Sequence, residues 1–407
     1  TDGLGVPCYN GNISSMTWKS GAGATPRGYK FSYDRLGRLT DAEYGEGPSL
    51  SVNTNRFNEQ VTGYDKMGNI LGLKRYGQTS ATGYDVIDDL SLSYAGNRLK
   101  KVADRSGTSA FNNGFEFKDG VKQVGEYTYD ANGNLTKDLN KGITDIQYNC
   151  LNLPNTVTFS DGSTITYIYG ADGTKLRTVH KIGSTTTTTD YCGNVIYENG
   201  VQKLLLTEEG YVTLSDSKYH YYLKDHQGNN RVVISQSGTV EETNHYYPFG
   251  GAFASTSNVQ PYKYNGKELD SKKGLNWYDY GARHYDAALG RFTTNDRFAE
   301  KYYSMSPYQY GANSPVGNID VNGDSIRVYT ETQSFGHTWI SVGEGSNMTV
   351  YSYGRYNGTN KGPDRSSNSL GNGSGVLLKL MGDEAKAYND KKSSWWNVCI
   401  CSNRCGR

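Results

Sequence analysis

The most reactive pairing in this sequence lies near its C-terminal end. His337 opens the strand-like stretch Gly336-His337-Thr338-Trp339-Ile340, and Cys399 and Cys401 follow in Asn397-Val398-Cys399-Ile400-Cys401. An imidazole beside a thiol can take its proton, and the thiolate then attacks an acyl carbon. His337 with Cys399 is therefore the candidate catalytic pair, with Cys401 as the other thiol. Such a cysteine is best placed at a helix N-terminus, which lowers its pKa, and few residues remain before Arg407 to build one. A tail without enzymatic activity is the alternative. Cys399, Cys401 and Cys405 offer three thiols and no fourth ligand for a tetrahedral metal. No histidine pair has the spacing of His-Glu-x-x-His. His220, His226, His245 and His284 sit among Tyr and Gly and read as hydrogen-bonding members of a packed interior. No metal and no cofactor is expected. Cys8, Cys150 and Cys192 stand alone and are expected to be small buried side chains.

A short phrase recurs upstream and decides the architecture. It reads Tyr33-Asp34-Arg35-Leu36-Gly37-Arg38-Leu39, Tyr64-Asp65-Lys66-Met67-Gly68-Asn69-Ile70 and Tyr129-Asp130-Ala131-Asn132-Gly133-Asn134-Leu135. Degenerate copies begin at Tyr94 and Tyr169. Tyr29, Phe31 and Tyr33 alternate with Lys30 and Ser32, the period of a half-buried strand. Asp-x-x-Gly supplies a turn in which Asp bonds the backbone ahead and Gly takes positive φ. Each copy is a β-hairpin. One copy cannot bury its own apolar face, so neighbours must stack into a continuous strip. Residues 25–320 are expected to form one twisted antiparallel sheet, strand over more than half of that span, with almost no helix.

Composition agrees with this reading. The chain has 35 Tyr, 50 Gly and only 9 Pro among 407 residues, a strand-and-turn composition. Apolar residues reach just 35%, too few for a thick aliphatic core. A thin sheet curled around a hollow needs fewer, because Tyr can lay its ring on a neighbour and keep its hydroxyl wet. Net charge is +1, so nothing favours nucleic acid or an anionic membrane. No apolar run is long enough to span a bilayer, and the first residues are not a signal peptide. The chain opens in mid-pattern without Met and is expected to be part of something longer.

From about residue 205 the short repeats give way to aromatic-dense text. It contains Tyr222-Leu223-Lys224-Asp225-His226-Gln227-Gly228-Asn229, Tyr247-Pro248-Phe249-Gly250 and Tyr264-Asn265-Gly266-Lys267-Glu268. Then come Tyr278-Asp279-Tyr280-Gly281-Ala282-Arg283-His284-Tyr285-Asp286, Gly290-Arg291-Phe292 and Ser306-Pro307-Tyr308-Gln309-Tyr310. This order of motifs resembles the RHS repeat-associated core domain, and the upstream units resemble RHS/YD repeats. The likeness covers about 25–324, in wording similar to the Bacteroidota branch of the family.

The resemblance implies an all-β fold, a spiralling β-hairpin shell, with a small α+β C-terminal segment. It divides the chain into repeats (1–204), the core domain (205–324) and a variable, toxin-like tail (325–407). It implies a scaffold that encloses its own C-terminal cargo and is exported, secreted or held at the cell surface. The implied partners are an immunity protein and a secretion-system component. The other class of function is a wall-associated adhesion protein that binds glycans. The family also implies self-cleavage after a closing Asp-Pro-x-Gly-Leu motif, by two aspartates sharing a proton. By motif, Arg291 and Asp296 carry over, and Asp320 opens the closing motif. Here Val321 stands for Pro and Asp324 for Leu, so no cleavage after Gly323 is expected.

The tail reads as strands around 326–329, 336–343, 348–354 and 376–380. A polar loop over 357–374 and a helix over 383–388 complete it. Its His and Cys arrangement is similar to circularly permuted papain-like hydrolases, which is the second alternative for its function.

Overall fold

The computed structural model describes residues 6–21 and 23–323 and, beyond them, the backbone of four strands. These are Arg327–Thr330, Thr338–Val342, Thr349–Gly354 and Val376–Met381, paired antiparallel in chain order. The expected tail loop and helix lie outside the described residues. Within 6–323 the structure is all-β, and its only helical elements are short 3-10 turns.

The Asp-x-x-Gly phrase folds as its chemistry requires. In the first copy Asp34 Oδ1 accepts the N–H groups of Leu36 (2.9 Å) and Arg38 (3.0 Å). In the second, Asp65 Oδ1 accepts those of Met67 (2.9 Å) and Asn69 (2.8 Å). The residue after Gly then donates its side chain to the second Asp oxygen, from Arg38 Nε or Asn69 Nδ2 at 2.7 Å and from Asn134 at 2.8 Å. Gly37, Gly68 and Gly133 have φ of +76°, +82° and +83°, as expected. Asp225 builds the same turn onto Gln227 and Asn229.

Within each sheet of the strip, every strand pairs antiparallel with its chain neighbours. The strip is nevertheless not one sheet. A seven-stranded sheet runs from Ser15–Trp18 to Arg98–Asp104, and a thirteen-stranded sheet from Tyr127–Tyr129 to Val240–Thr243. Between them residues 105–126 lose the alternating pattern, so no ladder forms. Side chains bridge instead: Glu126 accepts the Val102 N–H (2.9 Å) and Asp88 accepts that of Phe117 (2.8 Å). With two small further sheets in the inner segment, strand falls just short of half of residues 25–320.

The hydroxyls of three repeat tyrosines are not wet. Tyr64 donates to the Leu39 carbonyl (2.5 Å), Tyr94 to Ile70 (2.7 Å) and Tyr148 to Leu135 (2.7 Å). In each case the Tyr of one repeat bonds the aliphatic residue that closes the preceding phrase. Burial raises these phenols well above their ordinary range, so the hydroxyl stays a donor. The repeat tyrosine therefore fills the inner face and stitches one hairpin to the last.

The space inside the curled sheets is occupied by the chain's own residues 244–323. Phe253 stacks on Phe57 at 4.2 Å between ring centres, and Tyr44 meets Phe253 edge-on at 6.0 Å. A second cluster of Tyr246, Tyr264, Tyr278, Tyr280, Tyr285, Phe292 and Tyr310 lies wholly within this segment. Aromatic area substitutes for the missing aliphatics. Cys150 is exposed at a turn, Cys192 is exposed at the end of strand Thr185–Cys192, and Cys8 is half-buried, so none is the buried side chain expected.

Candidate carboxylate site

The inner segment is gripped by polar contacts to the strip. Arg75, fully buried, donates to Glu59 (2.7 Å) and Asp88 (3.0 Å) on the strip and to the Ala287 (3.0 Å) and Ala288 (2.9 Å) carbonyls. Burial raises Glu59 and pushes Asp88 up to about 6, against the pull of Arg75. The repeat turns are docking points too. Asn313 donates to the Gly68 carbonyl (2.8 Å) and Tyr308 to that of Gly133 (2.7 Å). On the second sheet, Lys175 joins Glu268 (2.8 Å) to Asp279 (2.5 Å) and His180 meets Asp270 (2.9 Å). Burial acts to raise Asp279, but Lys175 together with His284 and the Gly281 N–H outweighs it and holds that carboxyl well below the usual range. These groups line one part of a cavity of about 290 Å³ between sheet and inner segment, whose walls also include Ile196, Leu204 and Leu269.

Two of the three residues that the resemblance implies for self-cleavage come together. Asp296 and Asp320 each place a carboxylate oxygen near one nitrogen of Arg283, at 3.2 and 3.1 Å. Arg283 sits in the loop of the hairpin Trp277–Asp279 and His284–Asp286, 4% exposed, with its guanidinium 3.7 Å from the Phe292 ring centre. Its Nε donates to the Gly323 carbonyl (2.6 Å) and its Nη1 to that of Pro307 (3.0 Å). Asp296 is fixed from its own turn, where it accepts the Phe298 N–H (2.7 Å).

Arg291 is elsewhere. It donates to the Asn97 carbonyl (2.9 Å) and lies over the Tyr94 and Tyr308 rings, tying the inner segment to the first sheet. The cation at the carboxylates is Arg283, which the sequence displays only as one letter of Gly281-Ala282-Arg283-His284-Tyr285-Asp286. No spacing distinguishes the two arginines, since their roles depend on how a hairpin folds over a strand.

The closing segment is held despite lacking Pro and Leu. Val321, Asn322 and Gly323 each give their carbonyl to a donor: the Lys267 ammonium, the Ala282 N–H (3.0 Å) and Arg283. Burial lowers the Lys267 pKa, and its ammonium lies 5.2 Å from the Tyr280 ring centre. Val321 in the place of the motif's Pro therefore does not leave this backbone free. Asp324, His337, Cys399 and Cys401 lie outside the described residues.

Among the core histidines, His245 accepts the Trp18 indole N–H (2.9 Å), and burial pushes its pKa down to about 3. His220 lies between Thr213 (2.8 Å) and Glu241 (2.5 Å), and His226 reaches the Val316 carbonyl (3.1 Å). His284 is buried between Trp277 and Tyr167, and burial lowers its pKa.

No protein-family model matches the chain. Salivary gland surface protein 1 of Aedes aegypti is 32% identical over 236 residues, 51% of this chain and 7% of that protein. The tRNA3(Ser)-specific nuclease WapA of Bacillus spizizenii is 24% identical over 311 residues, 72% of this chain and 11% of the relative. The chain thus spans a small fraction of both. Crystal structures of TcdB2-TccC3-Cdc42 and TcdB2-TccC3-TEV superpose with TM-scores of 0.50 and 0.51 at 16% and 17% identity. Each covers 76% of this chain, and the match spans 18% and 17% of those chains. The chain is an open, non-barrel antiparallel β-shell. Its fold is similar to that of the matched part of TcdB2-TccC3, with WapA as a distant relative in sequence.

Proposed function

We propose that this chain is the closing portion of an RHS-type β-shell, one that encloses a variable C-terminal cargo belonging to an exported polymorphic toxin. The observation that carries this reading is the inner segment. It is buried against the strip on one side, and its last described residues are tied down carbonyl by carbonyl before the sequence changes character. A strip packed from within by its own chain, with the downstream chain leaving from a fixed point, suits a container. The cargo is the segment after residue 324, and an immunity protein and a secretion-system component are the partners this function calls for. The names of the relatives, a nuclease and TcdB2-TccC3 assemblies, fit a delivered activity.

In this reading Asp296 and Asp320 do not cut the chain. Aspartyl chemistry needs two carboxylates that share a proton and flank a water. Here they share a guanidinium, so the position of the mobile proton is taken by a fixed cation. The test is limited proteolysis of the full-length protein under native conditions and after the shell is opened with urea. Residues 325–407 should resist native digestion and be lost on opening. Digestion at the same rate in both states would overturn the container.

One observation favours a second reading, a surface-associated adhesion protein: the relative of highest identity given above is named a surface protein. Retention of the purified chain on immobilised glycans, with residues 325–407 open to protease, would favour it.

A further inference from the structure

The cavity between the second sheet and the inner segment has an exposed rim and a buried floor. Lys203, Asn258 and Val259 line it and are exposed, whereas Tyr167, His180 and His284 line it and are at least nine-tenths buried. Asp270 accepts the His180 Nε2–H at 2.9 Å and the Tyr167 hydroxyl at 3.2 Å. With the proton of the neutral ring held at Nε2, His180 Nδ1 is an acceptor. That atom and His284 Nδ1 are buried without a hydrogen-bond partner among the described residues. Buried polar atoms are nearly always paired, so two orphans on one cavity call for partners from outside the chain.

The charges around it already answer one another. The lining carries four Lys and four Asp or Glu. Lys175 joins Glu268 to Asp279, and Lys203 pairs with Glu198 at 2.7 Å. Glu268 also accepts the Tyr191 hydroxyl at 2.8 Å. A cavity balanced in this way does not select an ion. It sets fixed polar groups beside the rings of Tyr167, Tyr191 and Tyr262 and the apolar wall of Ile196, Leu204 and Leu269. Those surroundings suit a ligand with an apolar ring face and a hydroxylated edge. Its volume of about 290 Å³ admits a single ring rather than a chain, since ligand cavities run from about 300 to 1,000 Å³. We propose that this cavity binds one neutral sugar ring, with His180 Nδ1 accepting a ligand hydroxyl and Asp270 holding the imidazole in the tautomer that does so. The site goes beyond both readings of the whole chain, because it needs neither an enclosed cargo nor a surface attachment.

The test is saturation-transfer NMR on the whole chain. Its probes are the methyl glycosides of glucose, galactose, mannose and N-acetylglucosamine, with glycine and inorganic phosphate as charged controls. At least one glycoside should take up saturation, and neither control should displace it. His180→Phe keeps a ring and removes the acceptor, and should weaken that glycoside about tenfold, the scale of one hydrogen bond lost at a buried site. Val259→Trp fills the rim from an exposed position, leaves the floor intact and should abolish the signal. It keeps the test decisive should His180→Phe fail to fold. Silence from all of the glycosides leaves the cavity to water and overturns the proposal. So does displacement by glycine or phosphate, or binding unchanged in Val259→Trp or in folded His180→Phe. Protease resistance of residues 325–407 should be the same in Val259→Trp as in the parent chain, so loss of the sugar site and loss of the container are read apart.

Discussion

Replacing Arg75 with Met tests whether the inner segment is held to the strip by one buried cation. The substitution strips Glu59 and Asp88 of their partner and leaves the Ala287 and Ala288 carbonyls without a donor. Breaking a buried ion pair from one side costs about 3–5 kcal/mol, and each orphaned carbonyl adds about 1–3 unless water reaches it. With partial rehydration the expected loss is about 4–6 kcal/mol. Arg75→Lys keeps the charge but cannot serve four acceptors, so a loss of about 2–3 kcal/mol is expected. Urea unfolding followed by tryptophan fluorescence, with exchange at the Phe249 amide, reads both effects. That amide donates to Glu59, at the contact between strip and inner segment. The loss in Arg75→Met should deepen as pH rises from 5 to 8. The abandoned carboxylates must then be buried charged, while the unfolded chain ionises them freely. A change below about 1 kcal/mol, the ordinary scale of a surface substitution, or a pH-independent loss would refute the reasoning.

Alanine at the repeat glycines should cost more where the turn carries the inner segment. Gly37→Ala should lose about 1–2 kcal/mol from positive φ alone. Gly133→Ala should lose more, since a Cβ there lies 2.1 Å from Asn295 Nδ2 and 2.9 Å from the Tyr308 hydroxyl; thermal melts that rank the two equally would defeat this. Burial pushes Asp138 up to about 7, with Lys141 opposing and Asp286 adding to the rise. Its contribution is present below the ordinary carboxylate range and lost as pH climbs through about 7, so Asp138→Asn should flatten the fall in melting temperature over that window. His245 works the other way, because its neutral folded form loses ground as pH drops from about 6.5 toward 3, and His245→Asn should lessen acid sensitivity there. The purified chain should run as a single band on a denaturing gel. A stable split at the Gly323 junction, abolished by Asp296→Asn, would show instead that the carboxylates are a competent protease.

The repeat, its turn and the all-β class were legible in the residues because the bonds that make them are local. Asp34 reaches only as far as Leu36 and Arg38, and strand alternation is a property of neighbours. The meeting of Asp296 and Asp320 was also foreseeable, from the order of the motifs. Folding alone decided what lies between them, since Arg283 and Arg291 stand eight positions apart on one hairpin and its outgoing strand, and nothing in their spacing says which faces the closing segment. The tyrosine hydroxyls were misjudged for the same reason. Their acceptors, such as Leu39 for Tyr64, belong to the preceding hairpin, and a phenol's surroundings depend on what packs above it. The break between the two sheets depended on Glu126 and Asp88 replacing ladder bonds with carboxylates. Local pattern determines what a segment can form; contacts between distant segments determine which polar group is buried, and with what.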